Sequence, residues 1–367
     1  MTVAQDVHSG FHHELPLVRA GVRIEEEHKL ALARAGVYAV YVDDELGEGI
    51  EVTPVLTQET RALAMSALVR TFAETAEHLT GGGRVRDATV LELTNAVHSI
   101  CDDLAGADHA VVALTDLAAA DRYTLQHSLD VTAIGLLIAR RHFREHGRPG
   151  PCGTRSYEGI DAQLTKLGVG LLLHDVGKLA LPASILKKAG SLDEEEFALV
   201  RTHPLRGLEL VSDRSVGPLA KSVIRSHHER WRGSGYPDGR AGLDIPEFAR
   251  IAAVADVFDA ITSNRVYSGA APQHLGVQEI VQGSGTDFDP AIVESFKKVV
   301  APYPPGSEIR LADGRRGVVV SVPLTQFDLP TVRVLWDANG ERVEPHEVDL
   351  RSQPLLAPVL DSVSIAA

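Results

Sequence analysis

The spacing of apolar and polar residues predicts a mainly helical protein. Between about residues 58 and 302, apolar positions mostly recur every three or four residues, as they do on one face of a helix. The predicted helices cover residues 58–79, 88–105, 121–143, 193–202 and 216–226, with a buried helical run at 166–173 and a further helix opening near Pro246.

The two ends of the chain follow different patterns. Near the amino terminus, a short helical pattern at 25–35 is followed by an apolar strand at 37–42. Past residue 303 the period changes to two, with predicted strands at 315–322 and 331–336. We therefore expect a small amino-terminal α/β domain and a small β-barrel-like appendage at the carboxyl end.

Histidines are placed in the central helical region where ordinary core residues are expected. His227 and His228 are adjacent and lie shortly before the turn Gly235-Tyr236-Pro237, and His174-Asp175 ends the buried run. Buried imidazole nitrogens cost free energy unless a partner satisfies them. A metal ion is such a partner, so these residues indicate a metal site.

Three further candidates come from the predicted helix faces. His203 follows one helix, while His127 and Asp256 lie within the apolar patterns of two others. Imidazole and carboxylate ligands without thiolate suit iron, manganese or other first-row ions. Seven ligands fit two ions that share a bridging carboxylate, and such a pair can generate a hydroxide and bind the oxygens of a phosphodiester. Phosphoester hydrolysis is the reaction class that follows. The seven residues are His127, His174, Asp175, His203, His227, His228 and Asp256.

The stretch 171–290 resembles the HD-GYP family of metal-dependent phosphodiesterases, part of the HD superfamily. The resemblance is carried, in order, by LLLHDVGKLALPASILKKAGSLDEEEF, RTHPLRGLELV, SHHERWRGSGYP, ARIAAVADVFDAITSNRVY and GSGTDFDP. Members of this family hydrolyse the bacterial second messenger cyclic di-GMP to pGpG, and some continue to GMP. The resemblance implies a helical HD-type bundle with a binuclear metal site and a role in signal transduction.

Carried over to this sequence, the resemblance implies that the seven residues are metal ligands and that Asp175 is the bridging, catalytic carboxylate. Lys178 would stabilise the substrate phosphate or protonate the leaving oxygen. Arg265 and Tyr267 would contact phosphate and guanine, and Tyr236 would line the mouth of the site or meet a partner protein. The predicted domains are 1–57 (small α/β, sensory or regulatory), 58–120 (helical connector, or the first helices of the bundle), 121–302 (catalytic) and 303–367 (β-rich).

Three departures from the family pattern bear on these expectations. Members with a third metal carry Glu one turn before the first histidine, where this chain has Tyr123, so we expect two ions. Arg232 replaces a common Asp and is expected to add positive charge near the pocket. A Gly- and Pro-rich segment at 147–153 is interpreted as an insertion. Asp259, one turn after Asp256, is expected to orient a ligand or to bond to the backbone.

Charge and composition limit the remaining choices. A net charge of -14 argues against a broad basic face for a nucleic-acid polymer. Two cysteines cannot form a disulfide framework, and no apolar run is long enough for a membrane span. We expect a cytoplasmic protein with a cyclic dinucleotide substrate, and a homodimer is compatible with the sequence. Other histidines, including His142 and His146, are expected to be ordinary surface or satisfied residues.

Two alternatives remain at this stage. The chain could be a cyclic di-GMP receptor that binds without turnover, for which Arg232 and the 147–153 segment are the support. It could also be an HD hydrolase of another nucleotide, including a mixed cyclic dinucleotide. The complete ligand set favours catalysis, and the Gly-Tyr-Pro element disfavours a simple mononuclear nucleotidase.

Overall fold

A computed structural model gives the fold of most of the chain. It describes residues 2–4, 7, 16–34, 40, 42–43, 46–50, 54–79, 84–106, 123–150, 154–186, 188, 190–212, 215–263, 271–323 and 325–358.

The amino-terminal part contains one short helix and two short strands. Helix α1 spans Glu26–Arg34, and strands β1 (Thr2–Val3) and β2 (Val42–Asp43) pair antiparallel. A small apolar cluster that includes Val3 and Leu32 lies between them. Helix α1 agrees with the helical pattern expected at 25–35, whereas most of the predicted strand at 37–42 lies outside the described residues.

Helices form the bulk of the described chain, which confirms the prediction of a mainly helical fold. After α1, the helices are α2 (Gln58–His78), α3 (Asp87–Gly106), α4 (Tyr123–His146), α5 (Ile160–Leu172), α6 (Ala183–Leu186), α7 (Glu194–Val200), α8 (His203–Leu210), α9 (Pro218–Ser226), α10 (Glu247–Thr262), α11 (Gln273–Gln282) and α12 (Pro290–Phe296). A 3₁₀ helix, Val176–Ala180, connects α5 to α6.

Helix α5 lies at the centre of this bundle and contacts α3, α4 and α9. Two of its glycines permit the close packing. A Cβ on Gly168 would overlap the side chain of Val97, and a Cβ on Gly170 would lie 2.9 Å from the carbonyl oxygen of Ala220. Helices α2 and α3 share one continuous apolar core with α4 and α5. Helices α2 and α3 therefore pack as part of the bundle.

A hairpin and a buried polar network cover one end of the bundle. Strand β3 (Arg148–Pro149), in the segment interpreted as an insertion, pairs antiparallel with β4 (Arg155–Ser156), which follows that segment. Arg155 binds Glu247 with two hydrogen bonds of 2.8 and 2.7 Å. His142 contacts Glu247 and Ser295, each at 3.0 Å. The expectation that His142 is a satisfied residue therefore agrees with the structure.

The carboxyl-terminal part is a four-stranded antiparallel sheet. Its strands follow in sequence order as β5 (Glu308–Arg310), β6 (Arg316–Ser321), β7 (Thr331–Trp336) and β8 (Arg342–Asp349). Apolar residues on one face form a separate small core. No pairing within the described residues joins β5 to β8, and four short strands form an open sheet, so the barrel-like shape is not confirmed.

The described helices are too short or too polar to span a membrane. Within the ranges described above, no helix combines the length and the apolar character needed to cross a bilayer.

Candidate metal centre

Asp175 is the point at which the histidines converge. It lies between the end of α5 and the 3₁₀ helix, and its side chain is almost fully buried. Oδ2 is 3.5 Å from His174 Nε2 and 3.9 Å from His127 Nε2. Oδ1 is 3.4 Å from His203 Nε2 and 4.0 Å from His227 Nε2. Both oxygens of one carboxylate therefore face imidazole nitrogens, as a bridging ligand requires.

Asp256, on α10, is the second carboxylate of the cluster. Its Oδ1 is 3.1 Å from His127 Nε2, and its Oδ2 is 3.7 Å from His228 Nδ1. His228 is the most exposed of these histidines, with 18% of its side chain accessible. The cluster thus opens to solvent on the side of His228.

All seven residues predicted from the sequence lie together in the structure. Their ligand atoms fall into groups whose members are within 4.8 Å of one another. The groups are His127, His174 and Asp256; His203, His227 and His228; and His174, Asp175 and His227. The geometry therefore offers two clusters with Asp175 between them.

Backbone carbonyls fix the orientation of three histidines. Each donates its Nδ1 hydrogen to a carbonyl oxygen in the preceding turn: His174 to Leu171 (2.7 Å), His203 to Val200 (2.8 Å) and His227 to Val223 (3.0 Å). A carbonyl can only accept, so Nδ1 carries the hydrogen in each ring. The Nε2 lone pair of each neutral ring is then left to face the cluster.

Several buried acceptor atoms in the cluster have no donor. Among the described residues, His174 Nε2 and Asp175 Oδ1 lack a hydrogen-bond partner. His203 Nε2 and His227 Nε2 are 3.2 Å apart, although both rings already carry their hydrogen on Nδ1. Two lone pairs at that separation repel unless a cation lies beside them. The donor set is imidazole and carboxylate, so these residues fit divalent metal ions.

Burial keeps most of the imidazoles neutral, which is the form that binds metals. It holds the pKa of His227 well below its usual value, an effect strengthened by the neighbouring His228. Burial likewise lowers the pKa of His228 to about 3.

The carboxylates are held in their ionised form. Burial alone would raise the pKa of Asp175, but the charge of Lys178 and the nearby imidazoles hold it well below its usual value. His127 behaves differently from the other histidines. Burial opposes its charged form, yet hydrogen bonds to Asp256 and Asp259 raise its pKa to about 10.

Lys178 makes a direct contact with the central carboxylate. Its Nζ donates to Asp175 Oδ2 at 2.5 Å, and 30% of its side chain remains exposed. The ammonium has three hydrogens, so it can donate to a second group at the opening while it holds Asp175. The structure therefore places Lys178 beside the centre, as predicted.

Gly177 brings the 3₁₀ helix against α8. A Cβ at this position would overlap the carbonyl oxygen of His203 and crowd the backbone of Gly207. Only a residue without a side chain lets these two segments touch. This contact sets the distance between Asp175 and His203.

The Gly-Tyr-Pro loop covers the exposed side of the centre. The Tyr236 ring stacks on His228, with centroids 4.7 Å apart, and the Arg201 guanidinium lies 4.8 Å from the centre of the Tyr236 ring. A Cβ on Gly235 would overlap the carbonyl oxygen of His228. Tyr236 therefore lies at the mouth of the centre, as expected.

A buried acid that the sequence interpretation did not single out holds this loop. Glu229 is 1% exposed and accepts the backbone N–H groups of Asp238 at 2.8 Å and Arg240 at 3.0 Å. The available signal was an acid directly after the paired histidines and just before a Gly-rich turn.

Three other predicted positions have different outcomes. Arg232 does not stand as a free charge, because it contacts Asp287 at 3.4 Å and Ser234 at 3.0 Å and its side chain is 60% exposed. Arg265 and Tyr267 belong to residues 264–270, which lie outside the described residues.

Comparison with known proteins identifies the class of domain that carries this centre. Residues 155–292 match the family described as HD domain. A solved structure of a Bdellovibrio bacteriovorus protein described as HDG"Y"P has a TM-score of 0.51 and 14% identity, covering 81% of this chain and 94% of its own. This likeness concerns the fold. Residues 155–292 thus match an HD domain, in agreement with the resemblance to the HD superfamily seen in the sequence.

Curated relatives are similar over longer or shorter stretches. A cyclic di-GMP phosphodiesterase of Pseudomonas aeruginosa is 34% identical over 270 residues, which are 72% of this chain and 61% of the relative. A 3'3'-cGAMP-specific phosphodiesterase of Vibrio cholerae is 44% identical over 124 residues, or 33% of this chain and 24% of that protein. The chain therefore spans less than two thirds of these relatives.

Proposed function

We propose that this protein is a metal-dependent phosphodiesterase that hydrolyses cyclic di-GMP to pGpG, with GMP as the product of a second cleavage. The observation that carries the proposal is the convergence on Asp175. Four imidazole nitrogens lie within 4.0 Å of its two oxygens, and buried acceptor atoms there have no donor. Such a site suits cations and a phosphodiester rather than a neutral ligand.

The two clusters would hold two divalent ions, iron or manganese. One position would use His127, His174 and Asp256, and the other would use His203, His227 and His228. Asp175 would bridge them because its two oxygens face histidines of both groups. When bound, the ions supply Lewis acidity toward the phosphodiester and lower the pKa of the attacking water.

Lys178 would act on the substrate from the edge of the centre. Its ammonium lies beside Asp175 and is partly exposed, so it can donate a hydrogen bond to a phosphate oxygen. It can also deliver a proton to the leaving ribose oxygen, which completes cleavage of the P–O bond. Asp175, the residue that it touches, would remain ionised throughout.

Aromatic and cationic residues would bind the rest of the dinucleotide. Tyr236 is placed at the mouth by its stacking on His228, where its ring and hydroxyl can contact the substrate or a partner protein. Arg265 and Tyr267, carried over from the family resemblance, would contact phosphate and guanine.

Domain roles follow the boundaries expected from the sequence. Residues 121–302 would form the catalytic domain, 58–120 would support it, and 1–57 and 303–367 would serve regulation. The shared core of α2 to α5 supports the assignment of 58–120. A cytoplasmic location and a homodimer belong to the same proposal.

A mixed cyclic dinucleotide is the second candidate substrate. The Vibrio cholerae relative with 44% identity is named as specific for 3'3'-cGAMP. The receptor hypothesis is weakened because Arg232, one of its two supports, is engaged with Asp287.

Direct competition would test the substrate assignment. The manganese-loaded protein would be given cyclic di-GMP and 3'3'-cGAMP in equal amounts, and the linear products would be quantified by chromatography. We expect pGpG to dominate. Faster consumption of 3'3'-cGAMP would replace the substrate assignment and retain the phosphodiesterase, whereas tight binding without any product would support the receptor.

A further inference from the structure

His127 is held in a way that sets it apart from the histidines of the cluster that donate to backbone carbonyls. Its Nδ1 lies 2.6 Å from Asp259 Oδ2, and both side chains are buried, at 5% and 0% exposure. The hydroxyl of Ser263 donates to the other oxygen, Asp259 Oδ1, at 2.8 Å. A fixed chain thus runs from Ser263 through Asp259 to His127.

A single turn of α10 contacts both nitrogens of this imidazole. Asp256 Oδ1 is 3.1 Å from Nε2, and Asp259, three residues later, is hydrogen-bonded to Nδ1. Residues three apart share one face of a helix, which explains the double contact. His127 comes from α4, so this arrangement also joins α4 to α10.

Three of the other histidines in the cluster rely on neutral acceptors. His174, His203 and His227 donate Nδ1 hydrogens to backbone carbonyls, as described above. A carboxylate is a stronger acceptor than a carbonyl, and it increases the electron density on the opposite ring nitrogen. In a buried site this electrostatic difference is only weakly screened. The group containing His127 therefore differs electronically from the group containing His203.

We propose that Asp259 is a positioning residue that makes the two metal positions unequal, strengthening the position held by His127, His174 and Asp256. This inference rests on the two-metal site of the proposed function. Asp259 would act through His127. It would fix the ring so that Nε2 faces the ion, and it would raise the affinity of this position for the ion. The position held by His203, His227 and His228 would lack this support.

Two substitutions separate charge from orientation. Asp259→Asn keeps the size of the side chain and an oxygen that can accept from His127 Nδ1, but it removes the negative charge. Asp259→Ala removes both. Ser263→Ala leaves the carboxylate in place and removes only its supporting donor, so it should have the smallest effect.

Asp289→Asn is the matched control. Asp289 is also a buried carboxylate, at 5% exposure, and it pairs with Arg250. It caps α12 by accepting from the backbone of Ala291 at 2.9 Å, a role that Asn also fills. The control therefore removes a buried charge from the same bundle without touching the histidine cluster.

Titration of metal-free protein with Co(II) would test the inference. Bound metal would be followed by visible absorption, and the stoichiometry would be checked by elemental analysis. For the wild type we expect two ions bound in two separate steps. Asp259→Asn should weaken the tighter step roughly 10- to 100-fold, the range typical of such supporting contacts. The second step should change by less than about threefold.

The remaining variants show whether the effect on metal binding is specific to Asp259. Asp259→Ala should weaken the same step at least as much, Ser263→Ala by only about two- to threefold, and Asp289→Asn should leave both steps unchanged. Equal weakening of both steps by Asp259→Asn, or no change in either, would overturn the inference while leaving the two-metal site intact. Fewer than two ions on the wild type would instead refute the two-metal site itself.

Discussion

Asp175 is the single residue that connects the two groups of histidines, because both of its oxygens face imidazole nitrogens. Its burial would favour protonation, yet Lys178 and the surrounding histidines hold its pKa well below the usual value. Burial keeps His174, His203 and His227 neutral, whereas the burial of His127 is outweighed by the acids around it, which raise its pKa to about 10. The protein thus sets the protonation state required of most of the metal ligands before any ion binds, and His127 releases a proton when it binds one.

Lys178→Met tests the role assigned to the ammonium. Loss of a donor to the phosphate and leaving oxygen should lower kcat about 100-fold, with metal content unchanged. Lys297→Met, which removes an exposed lysine paired with Glu294, should leave kcat at the wild-type value. Steady-state kinetics with elemental analysis would check both variants. Wild-type kcat in Lys178→Met would contradict the assignment.

The sequence predicted which residues gather at the centre better than it predicted what holds them. The paired histidines and the His-Asp dipeptide were visible because polar residues interrupt apolar runs. The charge of Arg232 was expected near the pocket, but its partner Asp287 is distant in sequence. The role of Glu229 was missed because its partners are backbone N–H groups, which no side-chain pattern reveals.

Close contacts between neighbouring helices determine the spacing of the ligands. The 3₁₀ helix carries Lys178 and touches α8 through Gly177. Helix α8 begins at His203, with Pro204 in its first turn. The predicted helix at 193–202 is shorter in the structure, where α7 spans Glu194–Val200. The acids at its start form a capping box, which explains why that end was well predicted.

Gly177→Ala tests the contact between the 3₁₀ helix and α8. The added methyl group overlaps the His203 carbonyl, so we expect a loss of about 2–3 kcal/mol in the free energy of unfolding. Gly217→Ala is the control, because a Cβ at Gly217 would meet no atom within 4 Å. It should cost less than about 1 kcal/mol. Urea unfolding would measure both, and equal costs would contradict the account.

Polar contacts between residues far apart in the sequence join segments that were predicted one by one from the sequence. Glu247, at the start of α10, binds Arg155 of β4 and His142 of α4. The segment 147–153 was interpreted as an insertion, yet the hairpin around it is tied to this network. Such pairings span about 90 to 105 residues and leave no periodic signal. The helices were predictable from local periodicity, whereas these contacts were not.

Glu247→Gln tests this network through pH. Burial alone would raise the pKa of Glu247, but hydrogen bonds from His142 and Arg155 lower it to about 2, against an ordinary value of 4.5. A lowered pKa stabilises the fold above pH 4.5, and that stability is lost as pH falls toward 2. At pH 7 the variant should be roughly 3 kcal/mol less stable. The difference in the free energy of unfolding between the variant and the wild type should become smaller below pH 4.5.

Urea unfolding at pH 7, 4 and 3 would measure this difference in the free energy of unfolding. Glu145→Gln, which removes a carboxylate paired with Lys298 at the surface, should cost less than about 1 kcal/mol. If the difference between Glu247→Gln and the wild type stays constant with pH, the ionised carboxylate is not what stabilises the fold.

Turnover of cyclic di-GMP is the decisive measurement for a two-metal phosphodiesterase centred on Asp175. Protein purified without oxygen would be loaded with Fe(II) or Mn(II), and products would be separated by chromatography beside the Asp175→Ala variant. We expect pGpG or GMP from the wild type and none from the variant, because Asp175 is the residue on which the histidines converge. Intact cyclic di-GMP after incubation with the metal-loaded wild type, or equal turnover by the variant, would contradict this expectation.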